Sequence, residues 1–229
     1  MSRLAGGRRG PGGRKYLLSP DPAARRRIGL FGGTFDPPHL GHVAVAADVA
    51  DALHLDRVLW IPAGDPPHKR DTEISPARVR LAMACAACAS DPRFEVSAIE
   101  VERPGPSFMV DTGRELARRF SGDELFLILG ADQFRSFGTW CEPVEIVRLL
   151  RLAVMDRGGE SAVRFRDQVP GGAAAVFVPV RRVDLSSTDV RVRARRGEDI
   201  GALVPTGVRA IIEREGLYSA STRAEGTSS

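Results

Sequence analysis

The chain has 229 residues, 43% of them apolar and 27% charged, with a formal net charge of +4. This length and composition describe one globular domain of ordinary size, with a core large enough to need no disulfide or metal staple, and they exclude disorder of the whole chain. The charge is uneven: the first 27 residues hold eight of the 33 Lys and Arg against one acid, Asp21, which leaves 25 bases and 28 acids elsewhere, so the body is not basic and a nucleic-acid partner is not expected.

Residues 1–26 are rich in Gly, Arg and Pro and read as a disordered extension. Residues 27–218 read as one domain and 219–229 as a frayed tail. Within the body, strands are expected at 27–31, 57–61, 94–97, 124–129, 152–155 and 175–178. Helices are expected at 40–53, 76–90, 110–120, 143–150, 187–196 and 208–214. Strands alternating with helices imply βαβ units and an α/β fold, a doubly wound Rossmann-like parallel sheet with helices on both faces. Ligands bind such sheets at the carboxyl ends of the strands, so function is expected just after each strand.

The first such segment is Gly32-Gly33-Thr34-Phe35-Asp36-Pro37-Pro38-His39-Leu40-Gly41-His42. Gly32 and Gly33 let backbone approach a ligand closely, and the prolines suit the start of a helix. His39 and His42 are three apart and share one helix face in the first turn, where backbone amides favour anions. The pair reads as a phosphate-binding constellation. The G-x-G-x-x-G dinucleotide fingerprint is absent.

With its H-x-G-H ending, this segment resembles the nucleotidylyltransferase superfamily. The resemblance implies transfer of a nucleotidyl group from a nucleoside triphosphate with release of pyrophosphate, and triphosphate binding by His39 and His42. Near the end of the body, Ser186-Ser187-Thr188-Asp189-Val190-Arg191 reads by itself as a helix cap followed by an arginine. It is similar to the superfamily's second signature, S-S-T-x-x-R, which implies contact with the same triphosphate. Gly32, Gly33, Thr34, Phe35, His39, Gly41, His42, Ser186, Ser187, Thr188 and Arg191 are therefore the expected ATP site, with His42, His39 and Arg191 as its catalytic members.

The middle segments resemble the nicotinate-nucleotide adenylyltransferase branch. Pro66-Pro67-His68-Lys69 follows the second strand, and Lys69 is one of only two lysines in the chain. Ser107 and Met109 lie in Pro106-Ser107-Phe108-Met109-Val110-Asp111-Thr112, which is similar to the branch's P-S-Y-T-x-D-T with Phe and Met replacing Tyr and Thr. Asp132, in Gly130-Ala131-Asp132, is read equally as a ribose ligand or a helix cap. Trp140, in Phe137-Gly138-Thr139-Trp140, is expected to stack on the pyridine ring. Lys69, Ser107, Met109, Asp132 and Trp140 form the expected mononucleotide site.

The resemblance implies adenylyl transfer from ATP to nicotinate mononucleotide, yielding deamido-NAD and pyrophosphate. Mg2+ accompanies ATP, with no metal site formed by the protein. Nicotinamide mononucleotide or phosphopantetheine as acceptor, and a non-catalytic nucleotide-binding regulatory protein, are the alternatives. An odd number of cysteines without a secretory signal points to a cytoplasmic protein, and the apolar runs are too short to cross a membrane. Cys85 and Cys88 lie in an Ala-rich run and read as buried small hydrophobes, with no thiol in a site. The family resemblance implies a homodimer.

Overall fold

The computed structural model describes residues 25–66, 74–156 and 162–219. Six strands form one parallel sheet: β1 (Arg27–Gly33), β2 (Arg57–Pro62), β3 (Phe94–Val96), β4 (Glu124–Gly130), β5 (Arg151–Asp156) and β6 (Val176–Pro179). Their order is β3-β2-β1-β4-β5-β6. The winding reverses between β1 and β4, and that crevice is where such a sheet receives a ligand. The strands are nearly continuous apolar runs because both faces are covered.

Period-two alternation sends side chains of β1 to opposite sides. Ile28 and Leu30 join Val110, Leu116, Leu127, Ile146 and Leu152 in one core. Phe31 joins Val45, Val49, Trp60, Met83, Val190 and Val208 in the other. The first core lies under α4 (Met109–Arg119) and α6 (Pro143–Leu149). The second lies under α1 (Leu40–Ala52), α2 (Ala77–Cys88), α7 (Ser187–Arg195) and α8 (Thr206–Arg214). α1 buries Gly41, Val45, Ala46, Val49 and Ala50, one stripe at helical spacing. α4 carries Asp111 in its first turn and Arg118 and Arg119 in its last, the order that suits the helix dipole.

The expected strands and long helices are present, with ends within a few residues. Two short helices were not anticipated: α3 (Ile99–Glu102) and α5 (Ala131–Ser136). The body also begins earlier than expected. Arg26, assigned to the extension, donates from its backbone and guanidinium to Asp123. Residues 1–24 and 220–229, and Lys69 with its neighbours, lie outside the described residues. Among the described residues, no helix is long and apolar enough to cross a membrane.

One buried cation ties the strand ends together. Arg80, on α2, is 1% exposed. It donates to the carbonyls of Ser75 (2.8 Å), Thr34 (2.9 Å), Ala63 (2.5 Å) and Gly64 (2.9 Å). Burial lowers its pKa, and the nearby Asp36 carboxylate opposes that shift. Arg80→Met is expected to destabilise the fold by about 3 kcal/mol or more, because four buried carbonyls lose a charged donor. Arg80→Lys should recover little, since a compact ammonium cannot span the fork. Urea unfolding of the two variants measures both effects; wild-type midpoints would contradict the role given to Arg80.

Candidate active site

The β1–α1 turn is built around its two histidines. His39 is the N-cap of α1 and His42 is its third residue. His39 Nδ1 accepts from the His42 amide at 3.3 Å, and His42 Nδ1 accepts from the His39 amide at 3.2 Å. This is a capping box in which imidazoles take the places usually held by Ser or Thr and Glu or Gln. Because both Nδ1 atoms accept, the ring proton of each neutral imidazole sits on Nε2. The rings lie 3.7 Å apart. Leu40 is the spacer, and Gly41 is required: a Cβ there would lie 2.9 Å from His39 Nδ1. Phe35, buried at φ +51°, packs edge-on against His42 at 5.3 Å and at a tilt against Trp60 at 5.0 Å, which holds the second imidazole in place.

The second loop is built in the same way. Ser186 caps α7, accepting from the Asp189 amide at 3.1 Å, while Asp189 accepts from the Ser186 amide at 2.9 Å. The Ser186 hydroxyl, donating to Asp189 Oδ2 at 2.6 Å, and the Ser186 amide hold the Asp189 carboxyl below its ordinary pKa. The two loops meet directly. Ser187 Oγ donates to the Pro37 carbonyl at 2.9 Å, and Arg191 Nη1 donates to the Asp36 carbonyl at 2.7 Å.

Two cavities open at the crevice between β1 and β4. One, of about 320 Å3, is lined by His39, Gly41, His42, Phe35, Ser186 and Ser187. The other, of about 460 Å3, is mostly apolar and is lined by Ser107, Phe108, Met109, Trp140, Leu129 and Glu100. Gly32, Gly33 and Gln133 line both. The two spaces therefore meet at the end of β1, beside the start of α5.

A family model described as cytidylyltransferase-like matches residues 30–193. A relative from Thermus thermophilus, named "Probable nicotinate-nucleotide adenylyltransferase", is 44% identical over 192 residues, spanning 84% of this chain and 99% of its own. A relative of the same name from Corynebacterium kroppenstedtii is 41% identical, spanning 84% of this chain and 90% of its own. The chain belongs to the cytidylyltransferase-like family, in its nicotinate-nucleotide adenylyltransferase branch. The fold agrees with a solved structure of Plasmodium falciparum nicotinic acid mononucleotide adenylyltransferase complexed with NaAD, at TM-score 0.68 and 15% identity, covering 85% of this chain and 98% of that one.

Most residues expected at the site come together, with four differences. Thr34 lines the apolar cavity rather than the histidine cavity, and its carbonyl is held by Arg80. Thr188 is exposed and accepts from Arg191 Nη2 at 3.1 Å, lining neither cavity. Arg191 lines a neighbouring space of about 520 Å3 with Asp36 and Tyr218 and not the cavity lined by the imidazoles. Asp132 points outward, 91% exposed, and pairs with Arg135, because the first turn of α5 faces it to solvent. The residue of that turn at the site is Gln133, whose Oε1 accepts from the Gly130 amide at 3.0 Å.

Other placements were not anticipated. Cys141 follows Trp140 and lines the apolar cavity, and Cys85 is exposed rather than buried. Ser107 does not offer its hydroxyl oxygen to the cavity alone: it accepts from the Gly64 amide at 2.9 Å, fastening the loop after β2. Gly64 has no room for a side chain, since a Cβ would lie 2.1 Å from the Glu100 carbonyl.

Glu100 is 5% exposed and accepts from the Thr112 hydroxyl at 2.8 Å. Burial raises its pKa, opposed by the Thr112 hydroxyl, Arg103 and Ser107. A raised carboxyl pKa favours the folded state below the unfolded value of about 4.3, and that contribution is lost as pH rises through the folded value. Wild-type melting temperature is therefore expected to fall more steeply than that of Glu100→Gln as pH rises above about 4.3. Parallel curves from a thermal melt series would count against this placement of the proton.

Proposed function

We infer that this chain transfers the adenylyl group of ATP to nicotinate mononucleotide, giving nicotinate adenine dinucleotide and pyrophosphate on the route to NAD. The observation that carries the reading is the junction of the two cavities at Gly32, Gly33 and Gln133. One side offers imidazole and hydroxyl donors at helix N-termini, suited to a polyphosphate. The other offers an apolar slot with Trp140 partly exposed in its wall, suited to a flat heteroaromatic ring.

In this reading ATP occupies the histidine cavity and the mononucleotide occupies the apolar one. The mononucleotide's 5′-phosphate oxygen attacks the α-phosphorus in line. A P–O bond forms as the bond to pyrophosphate breaks. The nucleophile is already an anion at neutral pH, so the chemistry needs positioning and charge stabilisation rather than a base. His42, whose ring Phe35 holds in place, donates from Nε2 to the α-phosphate as charge builds. His39 and the amide end of α7 hold the rest of the chain of phosphates. Arg191, bonded to the Asp36 carbonyl, supports the triphosphate through the loop rather than from the cavity wall. The N-terminus of α4, at Met109, favours a ligand carboxylate over a neutral amide. The donors at the histidine cavity suit an anion and do not fit a resident cation. Mg2+ would arrive with ATP and would supply neutralisation of phosphate charge.

The test is pyrophosphate release with ATP and either the acid or the amide mononucleotide. Faster turnover per KM with the acid is expected; a preference for the amide would move the acceptor assignment, and no release with either would end the reading. His42→Ala should keep the fold and lower kcat by about 100- to 1,000-fold. Trp140→Ala should raise the mononucleotide KM by roughly tenfold while the ATP KM stays unchanged. A shift in the ATP KM instead would mean that Trp140 faces the other substrate.

A further inference from the structure

Tyr218 ends the described body in an uncommon conformation. Its φ is +60°, in the left-handed region, two residues after Gly216 at the same angle. A non-glycine residue stays there only when its surroundings hold it, and such residues gather at functional sites. The turn after α8 closes with the Leu217 amide donating to the Ile212 carbonyl at 3.0 Å, and this carries Tyr218 back across the molecule. Its hydroxyl donates to Asp36 Oδ1, from a position 182 residues away in sequence. Ser75 Oγ donates to the Tyr218 oxygen at 3.4 Å, and the Ser75 amide donates to Asp36 Oδ2 at 3.1 Å.

Asp36 is 2% exposed and touches neither the histidine cavity nor the apolar one. It belongs to the turn that presents His39 and His42, separated from His39 by Pro37 and Pro38. The proline rings fix φ at both intervening positions, so a displaced Asp36 carries His39 with it instead of being absorbed by the backbone. The capping box then couples His39 to His42.

We propose that Tyr218 is a positioning residue for adenylyl transfer, acting through the Asp36 carboxylate to set the imidazole pair. The inference rests on the functional reading above. Tyr218 touches no cavity in which a reacting atom lies; it lines the neighbouring space that also contains Arg191 and Arg195. Burial and the adjoining Asp36 carboxylate hold its hydroxyl well above the ordinary tyrosine pKa, so it remains a donor. Its ring packs at the edge of the core beneath α8, and removing the hydroxyl leaves that packing in place.

The test uses the full chain. Tyr218→Phe is expected to lower kcat by about ten- to a hundredfold, the effect of a small misplacement of catalytic groups. The mononucleotide KM should stay within about twofold and the melting temperature within a few degrees, because the ring and the apolar cavity are untouched. Asp36→Ala removes the acceptor of the same contact. The double variant should be no worse than the more damaging single one, since the tyrosine acts only through the carboxylate. Wild-type kcat in Tyr218→Phe overturns the proposal, as do additive losses in the double variant or a kcat loss matched by an equal rise in the mononucleotide KM. A wild type that releases no pyrophosphate would instead overturn the functional reading.

Discussion

The reciprocal hydrogen bonds between His39 and His42 are the constraint on which the rest of the site depends. They satisfy backbone amides that the first turn of a helix would otherwise leave without partners. They also use up Nδ1 of each ring, which turns each Nε2 into a donor. One local device therefore starts α1 and sets the chemistry of the turn. Its geometric demand is Gly41, over which the His39 ring lies. Neither residue of the pair can be changed without disturbing the other.

Around that device the structure places many buried polar groups. Arg80 holds the carbonyls at the ends of β1 and β2, Arg191 and Ser187 hold those of Asp36 and Pro37, and Tyr218 and Ser75 hold the Asp36 carboxylate. Buried polar groups that are fully satisfied fix one arrangement, while partly satisfied ones are costly. The turn is consequently held by these polar contacts together with the apolar packing of Phe35. The two cavities that flank it share Gly32 and Gly33 as a common floor.

Much of the fold was legible in the sequence because the strands are short apolar runs and the long helices carry periodic stripes. α3 and α5 were not legible: four and six residues are too few to show a period. In the site, the outer motifs were readable because each is a helix start with its own local hydrogen-bond pattern. Asp132 reads as a ribose ligand or a helix cap, and the sequence cannot say which of two adjacent polar residues a short helix sets along a cavity; here Gln133 lines both cavities and Asp132 faces solvent. Glu100, Arg80 and Tyr218 gave no signal of their roles, since each acquires its partner from a distant segment. Arg191 bonds the expected turn but lines a neighbouring space, a distinction that side-chain spacing along α7 does not encode.

The place where the chain joins the sheet has its own consequence. Arg26 grips Asp123 just ahead of β4, at the amino-terminal edge of the sheet, while the cavities open at the carboxyl edge. The seven residues of β1 separate the two edges by roughly 23 Å, at about 3.3 Å per residue. Arg25 and Arg26 thus lie at the edge of the sheet opposite the cavities. The Arg26–Asp123 pair is anchored about one strand length from the cavities, so its charge can be altered without touching a residue that lines either of them.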